Sequence, residues 1–391
     1  METLSTDTKR GHSRAEIIVI ILGLISALLV LWVAVNHHGS WPSYSEMVAS
    51  LPHPVAWLRW ILGDISEFAF YKHELASLGL LSGAYLAWWA SKRGKTWQGF
   101  SISYGTGLWP WLVTSSLLGL LLGNLLWGWS VTAQTWQPTT FAAFVSLPAA
   151  MVLMFGGGWK VALIGALLGA LLVTPMCLII VNFVCVPLDL PPVIGNVLGM
   201  AVGSVLAFLL CRHAPSLMRS DYKPPARPLQ GKPPTYGVVW SLRRVLADFS
   251  EAPSFGNELA SLGLLAGVLL AYALNPISPV YGSGLVLPLL GAQALTSALG
   301  VVFWRHQWIR RGWYPTYIPL VSVVPAAVLT YGSSWMVIGS SALLGALIAP
   351  PLASAIAGRL PADFHPYIAN VISMAVSTLL IVPSVGWLVQ M

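Results

Sequence analysis

Residues 17–36, "IIVIILGLISALLVLWVAVN", stay apolar for about twenty residues, the length at which a helix crosses the hydrocarbon core of a bilayer. Ten further apolar runs follow, near 75–91, 107–127, 138–156, 161–184, 193–211, 258–274, 284–304, 315–332, 336–357 and 367–388. Stretches rich in turn formers or charge separate them, among them "SKRGK", "VPLDLPP", "NPISPVYGSG" and "RHQWIRRGWYP". Of the 391 residues 56% are hydrophobic and only 8% are charged, against about 25% charged in soluble domains. The expected fold is an all-α polytopic membrane protein with about eleven transmembrane helices. The first run reads as a retained signal anchor, because it is longer than a cleavable apolar core and ends in "VNHHGSWPS" without an A-x-A site.

Charge sets the expected orientation. With the N-terminus in the cytoplasm, eighteen of the twenty Lys and Arg fall on cytoplasmic segments, and only Arg59 and Lys72 lie outside. The net charge of +7 is thereby explained without a nucleic-acid partner. The expected location is the cell inner (plasma) membrane, with the N-terminus cytoplasmic and the C-terminus outside.

The chain also repeats itself. "HELASLGLLSGAYLA" (73–87) returns as "NELASLGLLAGVLLA" (257–271), with ELASLGLL identical. "LRWILGDISE" (58–67) matches "LRRVLADFSE" (242–251), and "YGTGL" (104–108) matches "YGSGL" (281–285). "WQPT" (136–139) matches "WYPT" (313–316), and "PLDLPPVIGNVLGMAVGS" (187–204) matches "PADFHPYIANVISMAVST" (361–378). A duplication is expected, with repeat 1 over 55–211 and repeat 2 over 238–388. A cytoplasmic tail (1–16) and the anchor (17–36) precede them, and a basic, Pro-rich cytoplasmic linker (212–237) joins them. Five spans per repeat is an odd number, so the second repeat must enter the membrane from the opposite side. Inverted repeats of this kind build secondary transporters, with sites where the repeats meet near the bilayer midplane. The lead-in stretches 55–67 and 238–251 place Trp, Leu and Val on one helical face and Arg with acids on the other, as interfacial helices do.

Polar residues kept in both repeats are the candidate site. Glu74 and Glu258 open the first span of each repeat; they read as a coupling or ligand pair or as helix-start acids on the positive end of the dipole. Asp189 and Asp363 precede the prolines that start the last spans and read as N-cap-like turn residues or as part of a site. Asn196 and Asn370 lie one turn into those spans, placed for substrate or for an interhelical hydrogen bond. Tyr104 and Tyr281 begin the glycine-rich turns into the second spans and read as lining or as aromatic-belt residues. Trp127, Trp136, Trp159 and their twins read as belt anchors. Cys177, Cys185 and Cys211 sit in apolar stretches and read as packing residues. No Walker A, HExxH or GxSxG motif occurs, so neither an enzyme, a cofactor nor a metal site is expected.

The plan of one helix ahead of two inverted five-span halves resembles that of the 2-hydroxycarboxylate (citrate-type) carriers, although their re-entrant GGxG motif is missing here. "LRWILGDISE" and "LRRVLADFSE" are similar to the opening segments of urea transporters, which also pair inverted five-span halves. The Gln and Asn-Asn positions of that pattern, and its Pro-Phe loop, are absent. The first resemblance implies a coupled carrier and the second a passive facilitator for a small neutral solute. The expectation is a secondary transporter of a small polar solute, coupled to H⁺ or Na⁺. Its alternatives are a facilitator and a non-transport membrane assembly subunit. The expected partners are the lipid bilayer and a small molecule or ion; a homo-oligomer is compatible with the sequence.

Overall fold

The computed structural model describes residues 14–130, 139–214, 216 and 236–390. Most of the N-terminal tail, Trp136 and most of the basic linker lie outside the described residues. All regular structure among the described residues is helical. Six helices are long and apolar enough to cross a membrane. The chain is an α-helical, multi-pass membrane protein.

Those six account for part of the eleven expected runs. They are Trp109–Ser130, Trp159–Cys185, Pro192–His213, Val286–Phe303, Trp335–Ala357 and Tyr367–Gln390. In chain order, the helices used below are α1 (Arg14–Asn36), α2 (Tyr44–Ala49), α3 (Pro54–Asp64), α4 (Glu74–Lys92), α5 (Trp109–Trp127) and α6 (Leu147–Phe155). They continue with α7 (Trp159–Leu168), α8 (Thr174–Ile180), α9 (Pro192–His213), α10 (Val238–Asp248), α11 (Glu258–Leu274) and α12 (Val286–Phe303). The last four are α13 (Arg305–Arg311), α14 (Val323–Tyr331), α15 (Trp335–Ala357) and α16 (Tyr367–Gln390).

The runs at 138–156 and 315–332 do not make single long helices. Each is broken, at Ser146 (φ −126°, ψ −120°) and at Ser322 (φ −146°, ψ −80°), between a 3₁₀ turn and a nine-residue helix. Nine residues rise about 14 Å, roughly half the hydrocarbon thickness. The serine hydroxyls donate back to Ala142 O at 2.5 Å and Ile318 O at 2.8 Å, which accommodates the break. The broken stretch in the first half still travels the length of α5. Thr140 sits with Asn124 on Asp64, near the C-terminal end of α5, whereas Trp159 meets Trp111 near its N-terminal end, ring centroids 5.5 Å apart.

Helices α4 and α11 form the largest helix pairing. Gly79 lies opposite Gly263, Gly83 opposite Leu259 and Ala260, and Gly267 opposite Leu75 and Ala76. One position advances as the other retreats, so the two helices run antiparallel. A Cβ on Gly79 or Gly263 would collide with the facing backbone carbonyl. Backbone contact of this kind is what Gly-xxx-Gly spacing permits between apolar helices. Within the first half α9 packs on α8 in the same way, with Gly199 against Cys177 and Gly203 against Val173.

Helices α3 and α10 turn their polar faces into the protein. Their acids turn inward: Asp64 is 0% and Asp248 1% exposed, while Leu58 (58%) and Leu242 (66%) face outward. A polar stripe turned into the interior is stable only where partners meet it.

Candidate functional site

Four buried acids are fully engaged in holding the fold. Asp64 accepts from Asn124 Nδ2 at 2.9 Å and Thr140 Oγ1 at 2.7 Å, and it pairs with Lys72, whose ammonium also lies 3.6 Å from the Trp60 ring centre. Asp248 accepts from Arg244 Nε at 3.0 Å, Ser297 Oγ at 2.7 Å and Thr316 Oγ1 at 2.9 Å. Glu74 accepts from Arg59 Nε at 2.5 Å and Trp41 Nε1 at 3.1 Å. Glu258 accepts from Arg243 Nε at 2.8 Å and from the Phe100 amide at 2.5 Å. The neighbouring N-caps complete the lock. Asn257 Nδ2 donates to Gln98 O and Phe100 O, and His73 Nε2 lies 3.0 Å from Ser278 Oγ. Each first helix is therefore tied to the loop that follows the first helix of the other half.

A cavity of about 680 Å³ lies between the halves. Ten pairs of positions matched between the halves contribute to its wall. They are Glu67 and Glu251, Phe68 and Ala252, Phe70 and Ser254, Tyr104 and Tyr281, Pro191 and His365, Pro192 and Pro366, Val193 and Tyr367, Asn196 and Asn370, Val197 and Val371, and Met200 and Met374. Each carboxylate shares the wall with a tyrosine from the other half. The Tyr281 hydroxyl donates to Glu67 Oε1 at 2.5 Å, and Tyr104 lines the same cavity wall as Glu251 and Ser254. Asn370 Nδ2 donates to Tyr317 Oη at 3.1 Å, and Cys177 Sγ donates to the Asn196 carbonyl at 3.2 Å.

The backbone at this wall is held in an uncommon shape. Phe70 (φ +68°), Tyr104 (+59°), Ser254 (+62°) and Tyr281 (+56°) are left-handed, in matched pairs. Ser103 (+47°) and Val280 (+52°) precede the two tyrosines. Such residues cost on the order of 1–3 kcal/mol each and gather where a site is preorganised. The glycines of YGTG and YGSG also lie at positive φ, from +70° to +76°, so the two turns double back and aim the tyrosines into the cavity.

The candidate residues divide cleanly. Asn196, Asn370, Tyr104 and Tyr281 come together on the cavity wall. Glu74 and Glu258 do not line it; they are 6% and 1% exposed and held by arginine. Asp189 is an exposed turn residue at φ +51°. Asp363 is exposed and bonded to Arg212, with N···O distances of 2.5 and 2.7 Å, which holds its carboxyl below the usual carboxylate range. Glu67 and Glu251 are additions from the structure. Their signal was present in the sequence, since both end the matched segments "LRWILGDISE" and "LRRVLADFSE".

No protein-family model matches this chain, and neither does any curated protein. The functional reading therefore rests on the geometry.

Proposed function

We propose that this protein is a secondary transporter of a small polar solute. It would work by alternating access between two inverted repeats, coupled to H⁺ or Na⁺, with eleven traverses of an inner (plasma) membrane. One observation carries the reading: matched acids and tyrosines from both halves line one cavity, and Glu67 of the first half accepts from Tyr281 of the second. Two equivalent closures around one chamber are what alternating access requires. The antiparallel run of α4 and α11 supports the inversion. The broken helices ending at Phe155 and Tyr331 act in this scheme as the third traverse of each repeat. Their 3₁₀ turns and loosened serine junctions border the chamber, where irregular backbone is tolerated.

With the N-terminus cytoplasmic, the Glu67–Tyr281 closure faces outside and the Glu251–Tyr104 closure faces the cytoplasm. The two basic residues that stand apart from the loop-charge pattern then have a separate explanation. Lys72 and Arg59 are partners of buried acids rather than surface charges.

Single cysteines at Phe70 and Ser254, tested with impermeant maleimides from either side of oriented vesicles, probe alternating access without a known substrate. Modification at one position should suppress reactivity at the other. Simultaneous reaction from both sides would replace the carrier by a facilitator. Solute flux in proteoliposomes should collapse when an ionophore dissipates the driving gradient. Gradient-independent flux leads to the facilitator reading, and no flux for any solute leads to the assembly-subunit reading.

A further inference from the structure

The charge inside the chamber identifies a class of solute. The wall carries two carboxylates, and no Lys or Arg is among its described residues. Glu251 already has a cation partner, with Arg244 Nη2 2.6 Å from its Oε2 and Trp313 Nε1 donating to its Oε1 at 2.9 Å. Glu67 differs. It is 3% exposed, no cation among the described residues lies within ion-pair distance of it, and its Oε2 has no hydrogen-bond partner among them. The nearby Lys72 ammonium is committed to Asp64 and to the face of Trp60. The chamber thus holds one carboxyl group with no cation partner among the described residues, and a buried carboxyl keeps its charge only when a cation meets it.

The surroundings of Glu67 suit an organic cation rather than a bare ion. Tyr281 donates to it, Phe70 meets the Tyr281 ring edge-on with centroids 6.4 Å apart, Phe68 lines the same wall, and aromatic faces attract ammonium groups within about 6 Å. Val145, Val193, Val197 and Leu329 give the rest of the wall an apolar character, and Met200 and Met374 adapt to varied shapes. We propose that the chamber takes a monovalent organic cation, a primary or quaternary amine on an apolar body, whose charge is met by Glu67. The proposal rests on the reading of this cavity as a solute site and names the class of solute.

The test uses the full-length protein in detergent and three probes that share one body: phenethylamine, phenethyl alcohol and phenylacetate. Calorimetry should show saturable binding of the amine, at least about tenfold weaker binding of the alcohol, and none of the acid. Glu67→Gln should weaken the amine about tenfold or more while leaving the alcohol unchanged, and Glu67→Asp should restore part of the loss. Equal affinity for amine and alcohol, or unaltered amine binding in a folded Glu67→Gln protein, overturns the proposal. Should Glu67→Gln fail to fold, the amine-to-alcohol ratio of the natural protein decides. Gradient-driven flux of a neutral solute with no amine binding would overturn this inference and leave the transport reading intact. Amine binding by a protein that moves nothing would do the reverse.

Discussion

The two ends of the chamber use the same parts and reach different electrostatic states. At one end Arg244 sits four residues before Asp248 and seven before Glu251, so one guanidinium serves both carboxylates. At the other end the position matched to Arg244 is Trp60, and the cation is Lys72, which stands where the second half has Gly256. Lys72 reaches Asp64 and the Trp60 ring but not Glu67. Each end holds two acids and one cation, but moving the cation from one side of the acids to the other leaves Glu251 with an ion-pair partner and Glu67 without one. The flanking residues follow the same division: Phe68 and Phe70 accompany the unpaired Glu67, Ala252 and Ser254 the paired Glu251. A symmetric frame can thus hold an asymmetric site, and the asymmetry is set by where the cation is written in the chain.

The largest effect should come from breaking the end held by Arg244. Arg244→Met strands both Asp248 and Glu251 in the interior. Removing one partner of a buried ion pair costs about 3–5 kcal/mol, and thermal unfolding in detergent should show this as severe loss of folded protein. Lys72→Met should cost less, because Asp64 keeps its bonds from Asn124 and Thr140. Equal losses would mean that Arg244 does not serve two acids.

The matched acids should respond with opposite signs. Glu251→Gln leaves Arg244 with Asp248 alone and should destabilise by about 1–3 kcal/mol, the range for a lost buried charged bond. Glu67→Gln replaces a buried carboxyl that has no cation partner among the described residues and should leave the unfolding midpoint unchanged or raise it. A drop as large as that of Glu251→Gln would show that Glu67 is paired.

A smaller effect is expected outside the chamber. Glu74→Gln and Glu258→Gln weaken the locks to Arg59 and Arg243, and each should cost about 1–2 kcal/mol of stability. Solute binding should be retained, since neither carboxylate lines the cavity. Loss of binding in a folded double variant would return these acids to the site.

The smallest effect belongs to Arg212 and Asp363, both about half exposed. Arg212 lowers the folded-state Asp363 pKa, so the pair contributes above the ordinary aspartate range. Its contribution is lost as pH falls through the lowered value. Asp363→Asn should barely shift the unfolding midpoint at neutral pH and should remove this acid-side loss; a large neutral-pH shift would make the pair structural.

Much of the frame was legible in the sequence, since apolar length and low charge suffice for the membrane class. Matching the two halves also brought forward Asn196, Asn370, Tyr104 and Tyr281, all of which reach the chamber. The same matching drew attention to Glu74 and Glu258, which instead fasten α4 and α11 to the opposite half. A carboxylate beside an apolar run looks the same whether it faces a solute or an arginine, and Arg59 and Arg243 lie fifteen residues away in the chain. Glu67 and Glu251 end the stretches 55–67 and 238–251, and reading those as interfacial helices leaves open whether their acids face solvent or a cavity.

That reading marks the boundary between the two kinds of information. The sequence by itself determined helices, apolar faces and the repeated Gly-xxx-Gly phrase, because these depend on residues a few positions apart. It also determined which faces of α3 and α10 are polar. Only the tertiary structure decided that those faces turn inward. In lipid the apolar side is the outer one, and a charged stripe can be buried only when partners from distant segments meet it. It likewise decided that one of two matched glutamates is left without a cation, because that depends on how far a lysine five residues downstream can reach.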